Sequence, residues 1–301
     1  MKAMLTLALA IKRRAVHPFC RIGFNNRIKG AGPMIEIAGK PLQTIPSHGL
    51  SQAERAILTS LLESNATYRY QSVDELSFEV ALRLHTVEAS IAMFHSGASF
   101  ESFQQSYCNP RFWQRMPNGA FQLKPSVRPS DAINDIFLNG RAYGFECATA
   151  IIILFYKAVL DSIDRPSFDR LFQGLYLYSW EHDEDLQLVT RKGTDYCIGD
   201  CVYFNNPDFA PYNSVWRGEN AIKLDRDLYF GHGIGIQPSA EIIRILNEQR
   251  IPGSQTSAYL LDQVTRLNFK LVRTFSATGY TPRTGLLDAI VVEMGERIHF
   301  Y

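Results

Sequence analysis

One segment constrains the fold more than any other, an apolar run with an acid and a thiol at its start. The run AIIILFYKAVL occupies positions 150–160 and is interrupted only by Lys157. It is far shorter than the roughly 20 apolar residues that a membrane span requires. We therefore expect a helix buried on most sides, with Glu146 and Cys147 at its N-terminal end. A carboxylate at the edge of a buried helix needs a partner or a reason.

Charge and cysteine usage exclude several functional classes. The 301 residues include 31 Lys plus Arg against 30 Asp plus Glu, so no strong field draws the chain to nucleic acid or to a membrane surface. The five cysteines do not form the dense, even set of a secreted disulfide scaffold, which favours a reducing compartment. Cys197 and Cys201 have three residues between them and no second pair, which makes them a weak zinc signal. We expect neither a metal nor a cofactor.

Helix signals dominate the first half of the chain. Ser51 to Glu54 and Ser72 to Glu75 have the spacing of capping boxes, and Gly97 stands where the second helix should stop. Further helices are expected at 99–107, at 130–140 and from the thiol onward, and later at 240–249 and 257–267.

Strand signals follow the apolar helix. Short aromatic or β-branched runs separated by turn residues predict strands at 175–180, 186–191, 201–205, 220–225 and 228–236. Helices followed by an antiparallel run of strands describe an α+β fold. A thiol at the start of a buried helix, followed later by strands that bear a His, has the order of papain-like enzymes. We expect a compact papain-like core with this helix packed on an antiparallel sheet and additional N-terminal helices.

The thiol has a chemical and a plain interpretation. First-turn amides of a helix carry unsatisfied donors and a positive partial charge, which can activate Cys147 and hold an oxyanion. A lone Cys in an apolar helix is more often a small buried hydrophobe. Glu146 weakens that interpretation, although it could also be simply a favourable charge at a helix N-terminus.

A second constellation lies in WRGENAIKLDRDLYFGHGIGI, residues 216–236. A hairpin here would bring Glu219 and His232 within reach of a common site. The glycines beside His232 are also ordinary turn residues, so a structural role stays open.

Three motifs, YGFECATAIIILFYKAVLD, GDCVYFNNPDF and the segment 216–236, together resemble the spore-coat protein-glutamine gamma-glutamyltransferases of the Bacillus group. These are small calcium-independent transglutaminases. The resemblance implies that Cys147 attacks a glutamine side-chain amide, releasing ammonia and leaving a thioester. It implies Glu219 as the acid/base partner, Glu146 as a partly redundant carboxylate and His232 as an orienting or proton-sharing group.

The resemblance also implies a narrow apolar tunnel, whose walls would be Phe100, Trp180 and Trp216; aromatic residues, however, usually fill cores. The expected partners are proteins with accessible Gln and Lys, in particular spore coat proteins. The expected locations are the mother-cell cytoplasm during synthesis and then the spore coat.

The resemblance covers residues 34–273, which we expect to form a single catalytic domain. Residues 1–33 and 274–301 would be extensions, and one hypothesis places the natural start at Met34. Two alternatives stay open at this point. One is a cysteine amidase or peptidase of the same type with water as the acceptor, and the other is a non-catalytic coat protein.

Overall fold

A computed structural model describes residues 35–42, 45 and 49–276. The α-helices of this part of the chain are α1 (Gln52–Leu62), α2 (Val73–Ser96), α3 (Pro129–Leu138), α4 (Cys147–Ser162), α5 (Arg165–Leu171), α6 (Ser239–Asn247) and α7 (Phe269–Thr274). Its strands are β1 (Ile35–Ile37), β2 (Lys40–Pro41), β3 (Tyr68–Tyr70), β4 (Ser99–Phe100), β5 (Trp113–Arg115), β6 (Phe121–Leu123), β7 (Gly144–Phe145), β8 (Tyr176–Leu177), β9 (Leu188–Lys192), β10 (Cys201–Asn205), β11 (Gly218–Asp225), β12 (Leu228–Gly231), β13 (Gly235–Gln237) and β14 (Tyr259–Leu267). The predicted extension 1–33, the start at Met34 and residues 277–301 lie outside the described part.

The main sheet is antiparallel and has the strand order β13-β12-β11-β10-β14-β9. Its centre is β10, which pairs with β11 on one side and with β14 on the other. With the helices, this sheet confirms the predicted α+β class. Over residues 35–42, 45 and 49–276, no helix is both long and apolar enough to cross a membrane.

Helix α4 is the core of the molecule, as its apolar sequence predicts. All residues from Ala148 to Tyr156 are buried, and the helix packs against α2 and β11. A helix that is apolar on most sides must be covered on most sides, and its first residue, Cys147, is half-buried.

Local signals identify the ends of the N-terminal helices. Ser51 and Glu54 form the predicted capping box at the start of α1. Ser72 accepts a hydrogen bond from the Glu75 amide at the start of α2, and Gly97 ends that helix with a left-handed φ of 86°.

Two helix predictions are wrong. Residues 99–107 begin with strand β4, which pairs in parallel with β7. Residues 257–267 contain β14 instead, because its backbone completes the ladders of both β10 and β9. The predicted strand 228–236 is two strands, β12 and β13, joined by a tight turn.

A buried charge network joins α2 to the sheet. Asp200, which is fully buried, accepts hydrogen bonds from Arg83 at 2.8 Å and from Arg266 at 2.6 Å. Arg83 also donates to Glu79, one turn earlier on α2. Each buried charge has an opposite partner, so the network ties α2 to β14 and to the residue before β10, and removal of one member leaves the others short of a counter-charge.

Candidate active site

The thiol stands at a junction that two short strands hold in place. Strand β7 leads directly into α4 and is fixed by its parallel pairing with β4. A Cβ on Gly144 would lie 2.5 Å from the Tyr107 ring, so only glycine allows this close approach. Cys147 is then the first residue of α4.

Glu146 is the N-cap of α4 and also a neighbour of the thiol. Its carboxylate accepts hydrogen bonds from the amides of Ala148 and Thr149, both at 2.9 Å, and from the Thr149 hydroxyl at 3.1 Å. The Cys147 Sγ lies 3.4 Å from Glu146 Oε2. One side chain therefore caps the helix, which is typically worth about 1 kcal/mol, and offers the thiol a proton acceptor.

Strand β11 brings two further side chains to the thiol. Asn220 Nδ2 lies 3.6 Å from Cys147 Sγ. Glu219 is buried, and its Oε1 has no hydrogen-bond partner within the described part of the chain. Gly231 on β12 leaves room for this carboxyl group, since a Cβ there would lie 2.5 Å from Oε1.

Burial dominates the electrostatics of these groups. It raises the pKa of the Cys147 thiol well above its ordinary value, and Glu219 and then Glu146 raise this pKa further. Hydrogen bonds from Asn220 act in the opposite direction. Burial and then Glu146 raise the pKa of Glu219 as well. Raising the pKa of a carboxyl makes its carboxylate a stronger base, better matched to a thiol.

The predicted hairpin between Glu219 and His232 is present as β11 and β12. His232 follows β12 and is buried; its Nε2 lies 3.1 Å from the Ser99 carbonyl oxygen. Its ring stacks on Phe145 with centroids 4.7 Å apart. Burial lowers the pKa of His232 to about 4, so the ring is neutral near pH 7. His232 therefore contacts both β4 and β7, the strand that leads into Cys147.

A cavity of about 600 Å³ opens beside the helix start. Its lining includes Ala148 and Asn220, which lie near the thiol, and Trp180, together with Ser179, His182, Leu188, Thr190, Tyr203, Leu261, Gln263 and Thr265. Of the three aromatic residues predicted as walls, the lining contains Trp180. Phe100 packs instead on Gly233 and His232, and Trp216 lies against the sheet cluster around Phe204.

The chain matches a known protein family. The family model for protein-glutamine gamma-glutamyltransferase matches residues 34–276. The chain belongs to this family. Its members are acyltransferases, so the match also confirms the predicted enzyme class.

Individual members of the family are similar to the chain over most of its length. A Bacillus mycoides protein-glutamine gamma-glutamyltransferase is 44% identical over 256 residues, which cover 83% of this chain and 92% of the relative. A Bacillus anthracis protein with the same description is 43% identical with the same coverage. A solved transglutaminase from Geobacillus stearothermophilus, without its C-terminal extension, is 50% identical with a TM-score of 0.65, covering 68% of this chain and 98% of that one.

Two residues of this candidate site were not identified from the sequence. Asn220 directly follows Glu219, and Tyr203 lies opposite Asn220 in the pairing of β10 with β11. Both side chains line the cavity. The available signal was their position in the motifs that carried the resemblance, but an Asn or Tyr in a strand has no distinctive spacing. Among the described residues, no group of three or more His, Cys, Asp or Glu could hold a metal ion.

Proposed function

We propose that the chain transfers the acyl group of a protein glutamine to a lysine amine, forming an isopeptide crosslink and releasing ammonia. The observation that carries the proposal is a half-buried thiol at a helix start, which lies 3.4 Å from the Glu146 carboxylate, close enough to Glu219 for that group to raise its pKa, and next to a cavity. The family of the chain makes a glutamine side chain the donor.

The proposed chemistry proceeds through Cys147 in two halves. A carboxylate takes the thiol proton, the sulfur bonds to the amide carbon, and the C=O electron pair moves to oxygen. The intermediate collapses to a thioester as the C–N bond breaks and the same carboxyl protonates the departing ammonia. The lysine amine then loses a proton to the carboxylate and bonds to the thioester carbon. The C–S bond breaks, and the carboxyl group returns the proton to sulfur, which restores the thiol.

Glu219 is the better placed of the two carboxyl groups to carry protons. Its Oε1 is buried without a partner in the described residues, whereas Glu146 already binds two helix amides. The raised pKa of Glu219 supports the same assignment. Glu146 then serves as a second acceptor, and His232 as an orienting group.

Transfer to an amine requires that water reach the thioester slowly. Trp180 covers one side of the cavity and is proposed as a wall of the substrate path. Phe100 and Trp216 stay predictions as further walls. We place the catalytic domain at residues 34–273, which the extent of the family match supports, with extensions on either side.

Spore coat proteins are the proposed substrates, and the reaction is proposed to need no calcium. Both points rest on the sequence resemblance to the Bacillus-group enzymes. Incorporation of a fluorescent amine into isolated coat proteins, with and without a chelator, tests them. Loss of activity on chelation contradicts calcium independence, and a lack of labelled coat protein contradicts the substrate.

The decisive experiment follows amine incorporation and ammonia release together. The native chain should incorporate a fluorescent primary amine into a glutamine-bearing protein and release ammonia in equal amounts, and Cys147→Ala should do neither. Ammonia release without incorporation would indicate an amidase. Failure of the folded native chain in both assays would leave the non-catalytic coat protein.

The roles of the two carboxyl groups are separable by isosteric substitution. Glu219→Gln and Glu146→Gln should each lower kcat partially, and the double variant should abolish nearly all activity. Gln at position 146 keeps an oxygen for the cap, so it limits the loss of helix stability. A double variant as active as the native chain would exclude the carboxylate mechanism.

A further inference from the structure

The developing negative oxygen of the acyl transfer has no donor in the machinery described so far. When the thiolate attacks the amide carbon, the charge moves to the carbonyl oxygen, which two or three fixed donors must stabilise. The start of α4 is the usual source of such donors, because its first amides have no partner inside the helix.

In this chain most first-turn amides of α4 already have a hydrogen-bond acceptor. The Glu146 carboxylate binds the amides of Ala148 and Thr149 and thereby neutralises much of their positive potential. The Ala150 amide donates to the Glu146 carbonyl oxygen at 3.0 Å. Of the first-turn amides, only that of Cys147 itself then remains to bind an oxyanion. One donor is too few to stabilise such a charge beside two carboxyl groups.

Asn220 has the position and the chemistry of the missing donor. Its Nδ2 lies 3.6 Å from Cys147 Sγ, so an amide carbon bonded to that sulfur brings its oxygen close to this group. Asn220 also lines the cavity through which we expect the substrate to arrive. The side chain is buried and neutral, so it can donate a hydrogen bond to a negative oxygen without forming an ion pair with a nearby carboxylate.

We infer that Asn220 is a catalytic residue whose side-chain amide, together with the Cys147 amide, binds the oxyanion of the tetrahedral intermediate. This inference rests on the proposed acyl transfer. In the forward step the S–C bond forms and Asn220 donates to the new O⁻. In the collapse the C=O bond returns, the C–N bond breaks, and Asn220 keeps its proton throughout.

The test separates oxyanion binding from activation of the thiol. Alkylation of Cys147 by iodoacetamide needs the thiolate but forms no oxyanion, whereas amide transfer needs both. Asn220→Ala should lower kcat for amine incorporation by about 10²- to 10³-fold with little change in KM. It should slow alkylation by less than about tenfold, which corresponds to the loss of one hydrogen bond to sulfur. The control is Asn205→Ala, which removes an amide from the neighbouring strand β10 and should leave both rates unchanged.

A third measurement, acylation of Cys147 by an activated ester, passes through the same oxyanion but requires no glutamine. If native protein is acylated by the ester but incorporates no amine, the proposed function fails, and the effect of Asn220→Ala on ester acylation still decides the inference. Transfer and alkylation that fall in parallel would overturn the oxyanion role, as would a folded Asn220→Ala protein with native kcat.

Discussion

Gly231→Ala tests whether the position of the Glu219 carboxyl, rather than its mere presence, controls activity. A Cβ at position 231 would lie 2.5 Å from Glu219 Oε1, 2.9 Å from its Cγ and 2.8 Å from Ile234 Cγ1. Real Cβ contacts almost never fall below 3.0 Å, so the carboxyl oxygen must retreat by at least 3.0 − 2.5 = 0.5 Å. The backbone of β12 accepts alanine, so the perturbation acts mainly on that side chain.

The size of the effect follows from that displacement. A shift of about 1 Å in a reacting group can cost roughly 100-fold in rate, so a shift half as large should lower kcat by about 10-fold. Overpacking should also lower the free energy of unfolding by about 1–3 kcal/mol. The assay is kcat for amine incorporation per folded molecule, with the folded fraction measured by circular dichroism.

Two comparisons isolate the cause. Gly140→Ala produces a similar clash, 2.5 Å from Ser96 Oγ, at a position outside the candidate site, and should destabilise the protein without lowering kcat. In a Glu219→Gln background the further change Gly231→Ala should cost little, because no carboxylate is left to displace. A Gly231→Ala enzyme with kcat within twofold of native, or full additivity in that background, would refute the reasoning.

Three further predictions address stability and water exclusion. The folded-state pKa of His232 is about 4, below its ordinary 6.5. As the pH falls from 6.5 to about 4, the unfolded chain takes up a proton at this residue and the folded chain does not, so the free energy of unfolding should drop by roughly 3 kcal/mol. His232→Gln should remove this drop in urea titrations, and an unchanged pH profile would contradict the assignment. Asp200→Asn should lower the free energy of unfolding by about 3–5 kcal/mol, because Arg83 and Arg266 lose a buried counter-charge. Asp131→Asn, at a half-exposed position, should lower it by less than about 1 kcal/mol. Equal losses would contradict an energetic role of the buried network. Trp180→Ala should raise ammonia release relative to amine incorporation several-fold, and an unchanged ratio would remove Trp180 as a barrier to water.

Sequence patterns predicted the elements whose signals are local. The caps at Ser51 and Ser72 act within one helical turn, and the apolar run of α4, interrupted only by Lys157, requires burial. The helix prediction for residues 257–267 was wrong because their apolar spacing fits a helix, while their two partner strands pair with residues 54–79 positions away. Pairing between such distant segments decides the outcome and leaves little trace in the segment itself.

The site was predictable to a similar degree. The position of Cys147 at a helix start and the hairpin that joins Glu219 to His232 are both local features, and both are present. The contacts of His232 are not local, since Ser99 and Phe145 reach it from strands far away in the sequence. His232, which the resemblance implies as an orienting or proton-sharing group, is thus buried against these strands, and its role stays a prediction.

Glu146 shows how one capping residue redirects the chemistry of a helix start. By binding two first-turn amides, it fixes the first turn on which Cys147 lies, but it also uses the donors that a thiol at this position would otherwise share with its substrate. In the proposed mechanism β11 supplies both the proton carrier, Glu219, and the oxyanion donor, Asn220. Activity should then depend on the packing of α4 against β11, and a core substitution at this interface should lower kcat before it unfolds the protein.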